Sequence, residues 1–419
     1  AAPRLAGRLH RRGVDVALHP QDWARAAAGV EVVVGARAAA WAPAPGLAAV
    51  VVLDEHDEAY QEQRSPTWHA RDVALERARR AGAPALLVSP TPSLEALDAG
   101  PLLCLERAAE RRGWPLLEVV DRRGEDPARG GLYTSRLVER LRAVRAEPDG
   151  LAVCVLNRTG RARLLACRSC GELARCERCT AALRQDAPGG ELLCARCGEA
   201  RPAVCAACGA LAHKTLRVGV GRAREELEAL VGAPVVELTS ASPPEVVPSS
   251  GVVVGTEAAL HRVERARLVA FLDIDQELLA ARHRAAEQAM GLLARAARLV
   301  GRRDGPGRLL VQTRLPDHDV LEAVRHADPG RAADAERARR RALGWPPYSA
   351  LAVLSGPGGA ELAAALAAVL HDQPGAAVLG PAEDRWLVRA ASHAELCDAL
   401  AAAPRPRGRV RIEVDPQRA

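Results

Sequence analysis

Lysine is almost missing from this sequence. Lys214 is the only one among 419 residues, so nearly all positive charge is carried by arginine, a bias that fits G- and C-rich coding as much as function. The scarcity has a chemical consequence. A phosphate loop GxxxxGK[ST] needs a lysine directly after a glycine turn, and Lys214 stands in AHKT with no glycine loop before it. Long apolar runs are missing too: no stretch of eighteen or more apolar residues offers a membrane span, and the start AAPRLAGRLHRRG has no apolar signal segment. The expectation is a cytoplasmic protein without membrane contact. The first residue is not Met, which leaves an incomplete product open. Formal charge is +6, a mild excess that permits a polyanionic partner without demanding one. The length allows two or three domains with real cores.

Cysteine, by contrast, is concentrated. Eight of the eleven lie between Cys167 and Cys208, in four CxxC pairs: Cys167/Cys170, Cys176/Cys179, Cys194/Cys197 and Cys205/Cys208. Two intervening residues let both thiolates of a pair converge on one ion from a tight turn, and two pairs complete a tetrahedral all-thiolate shell. Eight cysteines therefore predict two structural Zn2+ sites. Each pair is followed by glycine or threonine, small residues that suit such a turn. A disulfide framework would need an oxidising compartment, and thioredoxin-like motifs come singly. A nested arrangement, with the outer two pairs on one ion and the inner two on the other, is preferred; consecutive pairing remains open. Closed thiolate sites leave no coordination position for catalysis. A region this short and this poor in large apolar side chains needs the metal to fold. Cys104, Cys154 and Cys397 read as buried small hydrophobes.

Residues 1–98 alternate helical and strand patterns. Helices are expected over Arg4–Arg12, Gln21–Ala28 and His69–Ala81, and strands over Val14–Leu18, Glu31–Val34, Leu47–Leu53 and Ala85–Ser89. Apolar strands alternating with helices predict a doubly wound parallel sheet, with its active edge at the strands' carboxyl ends. There stands Asp54-Glu55-His56-Asp57, an acidic cluster of the kind that holds magnesium in nucleotide hydrolases.

The segments VVVGARAAAWAP, LDEHDEAYQEQ, WHARDVALERAR and LVSPTPSLEAL occur in that order, followed by VCVLNRTGRARLLACRSCG, the eight cysteines, VGVGRAREELEAL, VVVGTEAALHRVERARLVAFLDIDQELLAARHRAAEQA and RRRALGWPPYSALAVL. Together they resemble the primosomal helicase family, that of primosomal protein N′ or PriA, over nearly the whole chain. The resemblance implies two RecA-like helicase lobes with parallel sheets, a two-zinc insertion, and a small C-terminal domain. Expected extents are 1–146 for the first lobe, 147–165 with 210–316 for the second, 166–209 for the insertion and 317–419 for a linker and the C-terminal domain.

Several motifs depart from the family. Its acidic box reads D-E-E-H-D, so the first, magnesium-holding aspartate is Leu53 here. Pro90 replaces an alanine in the third motif, and GTEAALHRVERARL keeps Gly255 and Thr256 but drops the lysine-glycine-histidine-aspartate core of the fifth. In RAARLVGR only the last arginine of the sixth survives, as Arg302. With damage spread over four motifs, ATP hydrolysis is expected to be lost and binding of ATP with Mg2+ is doubtful. Asp54, Glu55 and Arg302 are candidates for a degenerate nucleotide site, with ordinary surface charge as the plain alternative for Glu55 and Arg302.

Arg158, Arg161 and Arg163 beside the turn NRTGR suit DNA phosphates, or a solvated face. Tyr60 and Trp68 lie where the resemblance places a loop that senses single-stranded DNA; stacking suits them, and so does a core position for Trp68. After Gly344-Trp345-Pro346-Pro347 the pattern becomes βαββαβ, a ferredoxin-like sheet. The resemblance implies a replication-restart protein that binds forked or single-stranded DNA and brings in primosome and replisome proteins, without helicase activity of its own. Two alternatives stand beside it: an active ATP-dependent 3′-to-5′ DNA helicase whose phosphate loop lies outside this chain, and a zinc-ribbon scaffold that binds proteins.

Overall fold

The computed structural model describes residues 2–416 apart from 66, 124–131, 158–163, 186–189, 216–219, 244, 247 and 383. The chain divides into two compact units, Ala1–Pro101 with Arg340–Ala419, and Leu102–Arg339. Among the described residues no helix is long and apolar enough to cross a membrane.

Parallel pairing in the first unit stops at two strands. Val16–His19 pairs with Val32–Gly35, and Val50–Leu53 with Ala85–Val88. The doubly wound sheet expected here is thus two separate parallel pairs among the described residues. In the second pair Val51 sits opposite Leu86 and Leu53 opposite Val88. All four are exposed, while Val52 is buried. Successive strand side chains point to opposite faces, so this apolar strand pair is covered on one face only.

Residues 350–414 form the expected split sheet. Its strand order is Ala377–Ala382, Arg385–Ala390, Ala350–Ser355, Arg411–Val414, all antiparallel. Helices Gly359–Val369 and His393–Ala402 bury Leu362, Leu366, Leu396 and Ala399 against it. The strand Ala350–Ser355 leads into Gly356 and Gly358, where the backbone passes close to residues 408–410. A Cβ at Gly358 would lie 2.4 Å from the carbonyl oxygen of Gly408, and Gly356 has φ +101. Only glycine meets both demands.

A six-stranded, wholly parallel sheet organises the second unit. The order is Val235–Leu238, Gly251–Gly255, Leu151–Val155, Leu268–Phe271, Arg308–Thr313, Leu116–Asp121. Alternate residues feed two cores. Val153, Val253, Val269 and Leu309 pack on one face with helix Ala285–Val300, and Cys154, Val254, Ala270 and Leu310 pack on the other with helix Ser135–Arg145. Burial on both faces explains why these strands read as unbroken apolar runs.

The boundary expected at 146 falls at 101, because Leu116–Asp121 adds to the six-stranded sheet through Arg308–Thr313. Residues 317–339, expected with the C-terminal domain, also belong here. Helix Asp319–Arg325 buries Val320, Leu321 and Val324 in the same core as Val311. Cys154 is buried as expected, and burial pushes its thiol up to about 12. Cys104 and Cys397 are exposed, contrary to expectation. Cys104 precedes the first helix of its unit, and Cys397 lies on the outer side of His393–Ala402, whose inner side presents Leu396 and Ala399.

Candidate metal centres and the altered acidic box

The eight clustered cysteines form two groups, each with its sulfurs within 4.8 Å of one another: Cys167, Cys170, Cys205 and Cys208, and Cys176, Cys179, Cys194 and Cys197. The pairing is nested. Strand Leu165–Cys167 pairs antiparallel with His213–Thr215, which brings the ends of the insertion together, and Leu183–Gln185, Leu192–Cys194 and Ala200–Arg201 make a small sheet between them. Cys167 approaches Cys208 at 3.6 Å and Cys170 approaches Cys205 at 3.6 Å; in the inner group Cys176 to Cys197 is 3.5 Å and Cys179 to Cys194 is 3.4 Å. A tetrahedron with metal–sulfur bonds of about 2.3 Å has edges of about 3.8 Å. The two groups fit a metal ion each.

The residue after every pair explains why it is small. Gly171, Thr180, Gly198 and Gly209 all adopt left-handed conformations, with φ of 78, 64, 77 and 74°. Each donates its N–H to the carbonyl of the pair's first cysteine: Gly171 to Cys167 at 3.1 Å, Thr180 to Cys176 at 2.9 Å, Gly198 to Cys194 at 3.0 Å, Gly209 to Cys205 at 2.9 Å. The turn directs further N–H groups at sulfur, as from Ser169 to Cys167 Sγ at 3.4 Å. Burial opposes ionisation of Cys167, but N–H groups of Cys170 and Ser169 and the Cys208 thiol bring it down to about 6. The Cys179 thiol, against burial, holds Cys194 down to about 5. The partners move the other way, Cys170 up to about 12 and Cys197 up to about 11, so within each group neighbouring sulfurs share protons that a metal ion would displace.

The two groups differ in exposure. Cys170 and Cys208 of the outer group are exposed, whereas Cys176, Cys179 and Cys194 of the inner group are buried. Arg196, inside the third CxxC, anchors the inner group. It donates to the Cys179 carbonyl at 3.2 Å and to the His283 carbonyl at 3.1 Å, and pairs with the buried Glu336 at 3.7 Å. Sequence reading missed Arg196 and Glu336, since an arginine in an arginine-rich chain carries no local sign of burial.

The acidic box has been rebuilt around Glu55. Leu53, at the magnesium-holding position, is exposed, and Asp54 takes φ 54 at the strand end. Glu55 is buried rather than a surface charge. It accepts from the Ser93 N–H at 2.7 Å and the Ser93 hydroxyl at 2.9 Å, and the Arg71 guanidinium lies at 3.5 Å. Burial raises its carboxyl above the ordinary range, and the Ser93 N–H and Arg71 pull the other way. Arg71 continues to Glu95 at 3.9 Å, and Glu95 to the fully buried Arg340 at 3.8 Å. Ser93 also caps helix Leu94–Ala99 through Ala96 N–H. The signal for Ser93 was present as an N-cap serine closing SPTPS; for Arg71 and Arg340 there was none.

Tyr60 donates its hydroxyl to the Leu53 carbonyl at 2.6 Å, and Trp68 packs edge-on against Trp41 at 5.6 Å between ring centroids. Both rings are half-buried. Arg302 is exposed beside Asp304 at 3.8 Å, an ordinary surface pair. Asp54 and Glu55 belong to the first unit and Arg302 to the second. Arg158, Arg161 and Arg163 lie outside the described residues.

Known proteins give the same direction. The family described as Primosomal protein N C-terminal domain matches residues 341–417. The chain is 33% identical over 404 residues to the probable replication restart protein PriA of Mycobacterium leprae, covering 88% of this chain and 59% of that protein. It is 32% identical over 341 residues to replication restart protein PriA of Treponema pallidum, at 76% and 50%, and 29% identical over 350 residues to that of Bacillus subtilis, at 78% and 43%. The chain thus spans about half the length of the curated relatives it matches. With the six-stranded parallel sheet, the nested cysteine groups and the antiparallel C-terminal sheet, these similarities establish that the chain belongs to the PriA family.

Proposed function

We propose that this protein acts in replication restart: it binds forked or single-stranded DNA and begins reassembly of the primosome and replisome, with two Zn2+ ions holding the cysteine insertion and without hydrolysing ATP. One contrast carries the reading. The eight thiolates keep a complete two-site geometry, while the acidic box has lost its magnesium-holding residue to Leu53 and its remaining Glu55 is tied to Ser93 and Arg71. A carboxylate that is almost wholly buried and engaged by a guanidinium and two donors serves packing rather than polarisation of a water. Closed four-thiolate shells likewise offer structure and a docking surface rather than chemistry. The replication-restart names of the relatives support the biological setting, and the arginine excess supports phosphate binding. The insertion then serves as the surface for partner proteins and strands.

The test is equilibrium binding of the zinc-loaded protein to a forked DNA and to a linear duplex at low and moderate salt. Preference for the fork, with affinity falling as salt rises, supports the reading. Absence of DNA binding, or binding indifferent to salt, contradicts it and favours a protein-binding scaffold.

A further inference from the structure

The two cysteine groups present their sulfurs to solvent differently. In the outer group Cys170 and Cys208 are exposed while Cys167 and Cys205 are buried; in the inner group Cys176, Cys179 and Cys194 are buried and Cys197 is half-buried. We propose that the outer group is an oxidation site: a hydroperoxide converts it to two disulfides, Cys170–Cys205 and Cys167–Cys208, with release of one metal ion, and the inner group is spared. The proposal rests on the reading of two bound Zn2+ ions above and adds a modification that only one of the two groups takes.

Sulfur oxidation follows thiolate character and access. Both groups hold their sulfurs as metal ligands, so access separates them. The residues inside the outer turns are exposed as well, Arg168 and Ser169 before Cys170, Ala206 and Ala207 before Cys208. An oxidant arriving from solvent therefore meets these two sulfurs directly. The inner turns are held against the six-stranded unit. Ala182 donates its N–H to the Leu279 carbonyl at 2.8 Å, and Arg196 donates to the carbonyls of Cys179 and His283 while facing the buried Glu336. Reaching those sulfurs means loosening that packing first.

Each exposed sulfur of the outer group touches a buried one on the opposite turn, Cys170 to Cys205 and Cys208 to Cys167, both at 3.6 Å. A disulfide is about 2.05 Å long, so each pair closes by about 1.5 Å. The exposed thiolate attacks an oxygen of hydrogen peroxide; the O–O bond breaks, hydroxide leaves, and the sulfur becomes a sulfenic acid. The buried thiolate then attacks that sulfur, the S–S bond forms, the S–O bond breaks, and a second hydroxide leaves. Each disulfide takes two electrons from sulfur and reduces one peroxide. Four thiolates thus consume two peroxides, give four hydroxides and lose the ion they held. Both disulfides join one turn to the other where Leu165–Cys167 pairs with His213–Thr215, so the cross-links hold the base of the insertion in place of the metal. Reduction by a thiol returns the ligands. The inner pairs lie as close, at 3.5 and 3.4 Å, so contact distance does not separate the groups, and exposure does.

The test uses the zinc-loaded protein carrying Cys104→Ser and Cys397→Ser, which removes the two other exposed thiols. It is treated with hydrogen peroxide, and metal content, thiol alkylation and disulfide linkage are followed, the last by mass spectrometry, against an untreated sample that accounts for passive release. The expected result is loss of one ion per chain with linkages Cys170–Cys205 and Cys167–Cys208, the outer four cysteines oxidising roughly tenfold faster than the inner four. A dithiol with added Zn2+ restores the lost ion. A variant carrying Cys170→Ser and Cys208→Ser as well, which lacks both exposed sulfurs, keeps its inner ion through the same treatment. Loss of both ions at one rate, linkages among the inner cysteines, linkages within a single turn, or no peroxide-dependent loss overturns the proposal while leaving the two bound ions intact. A protein that holds fewer than two ions before treatment removes the two-zinc reading itself, and this site with it.

Discussion

Glu55 and Ser93 are joined by two hydrogen bonds, one from the Ser93 N–H at 2.7 Å and one from its hydroxyl at 2.9 Å. The same hydroxyl accepts from the Ala96 N–H at 3.1 Å and so starts helix Leu94–Ala99. One side chain thus serves the former acidic box and the former third motif together. Ser93→Ala removes the cap and leaves Glu55 with a poorer set of donors. A cost of about 2 kcal/mol is expected, read as a lower denaturant midpoint at unchanged slope.

Glu55 also gives the stability curve a definite sign. Burial raises its folded-state carboxyl above the ordinary 4.5, against the Ser93 N–H and Arg71. A carboxyl with a raised folded value holds its proton more tightly when folded, so it favours folding at low pH. That contribution fades as pH rises from about 4.5 through the folded value. Glu55→Gln cannot titrate. The stability of wild type relative to Glu55→Gln should therefore fall with rising pH across this window, as measured by chemical denaturation; a flat or rising difference contradicts the burial account.

The two metal groups should part with their ions in order. Cys170 and Cys208 of the outer group are exposed, while three inner cysteines are buried and Arg196 covers Cys179. Release to a chromogenic chelator is expected in two phases of one ion each, the faster removed by Cys170→Ser. A single phase would contradict the asymmetry.

Gly209 isolates the torsional part of the metal turn. Its φ is +74 and a Cβ there would meet nothing within 4 Å, so a substitution has room and meets only the left-handed backbone cost. That cost is about 1–2 kcal/mol for ordinary residues and less for asparagine. Gly209→Val should weaken the outer site about tenfold, with Gly209→Asn much closer to wild type, by competition with a zinc indicator.

Arg196 and Glu336 are both nearly inaccessible, with side-chain exposures of 4% and 1%. Glu336 keeps Arg339 as a partner, so removing Arg196 costs chiefly its charge-assisted hydrogen bonds to the Cys179 and His283 carbonyls, about 1.5–3 kcal/mol. Arg196→Met should lower stability by that order and speed release from the inner group, with the outer phase unchanged.

These relationships mark where sequence was enough and where it was not. The cysteine turns were legible because their chemistry is local: two residues fix the bite, and the residue after must tolerate a positive φ. Nesting was open because it depends on Leu165–Cys167 meeting His213–Thr215 across the whole insertion. The βαββαβ pattern was legible since each strand alternates or runs apolar for its full length. The unit boundary was misplaced because Leu116–Asp121 reads as a strand without indicating which sheet it joins, and its partner Arg308–Thr313 is remote in the chain. Glu55, Arg71, Arg196 and Arg340 were out of reach for a related reason: charged residues are rarely buried unless paired, and the pairs here form between distant segments.

The most direct test of the account is ATP hydrolysis by the zinc-loaded protein, measured with and without forked DNA while binding to the same fork is followed in parallel. The rebuilt acidic box predicts fork binding with no DNA-stimulated hydrolysis above background. Robust stimulated hydrolysis would contradict it, because a water-activating carboxylate and a phosphate site would then exist in a protein whose Glu55 is committed to Ser93 and Arg71.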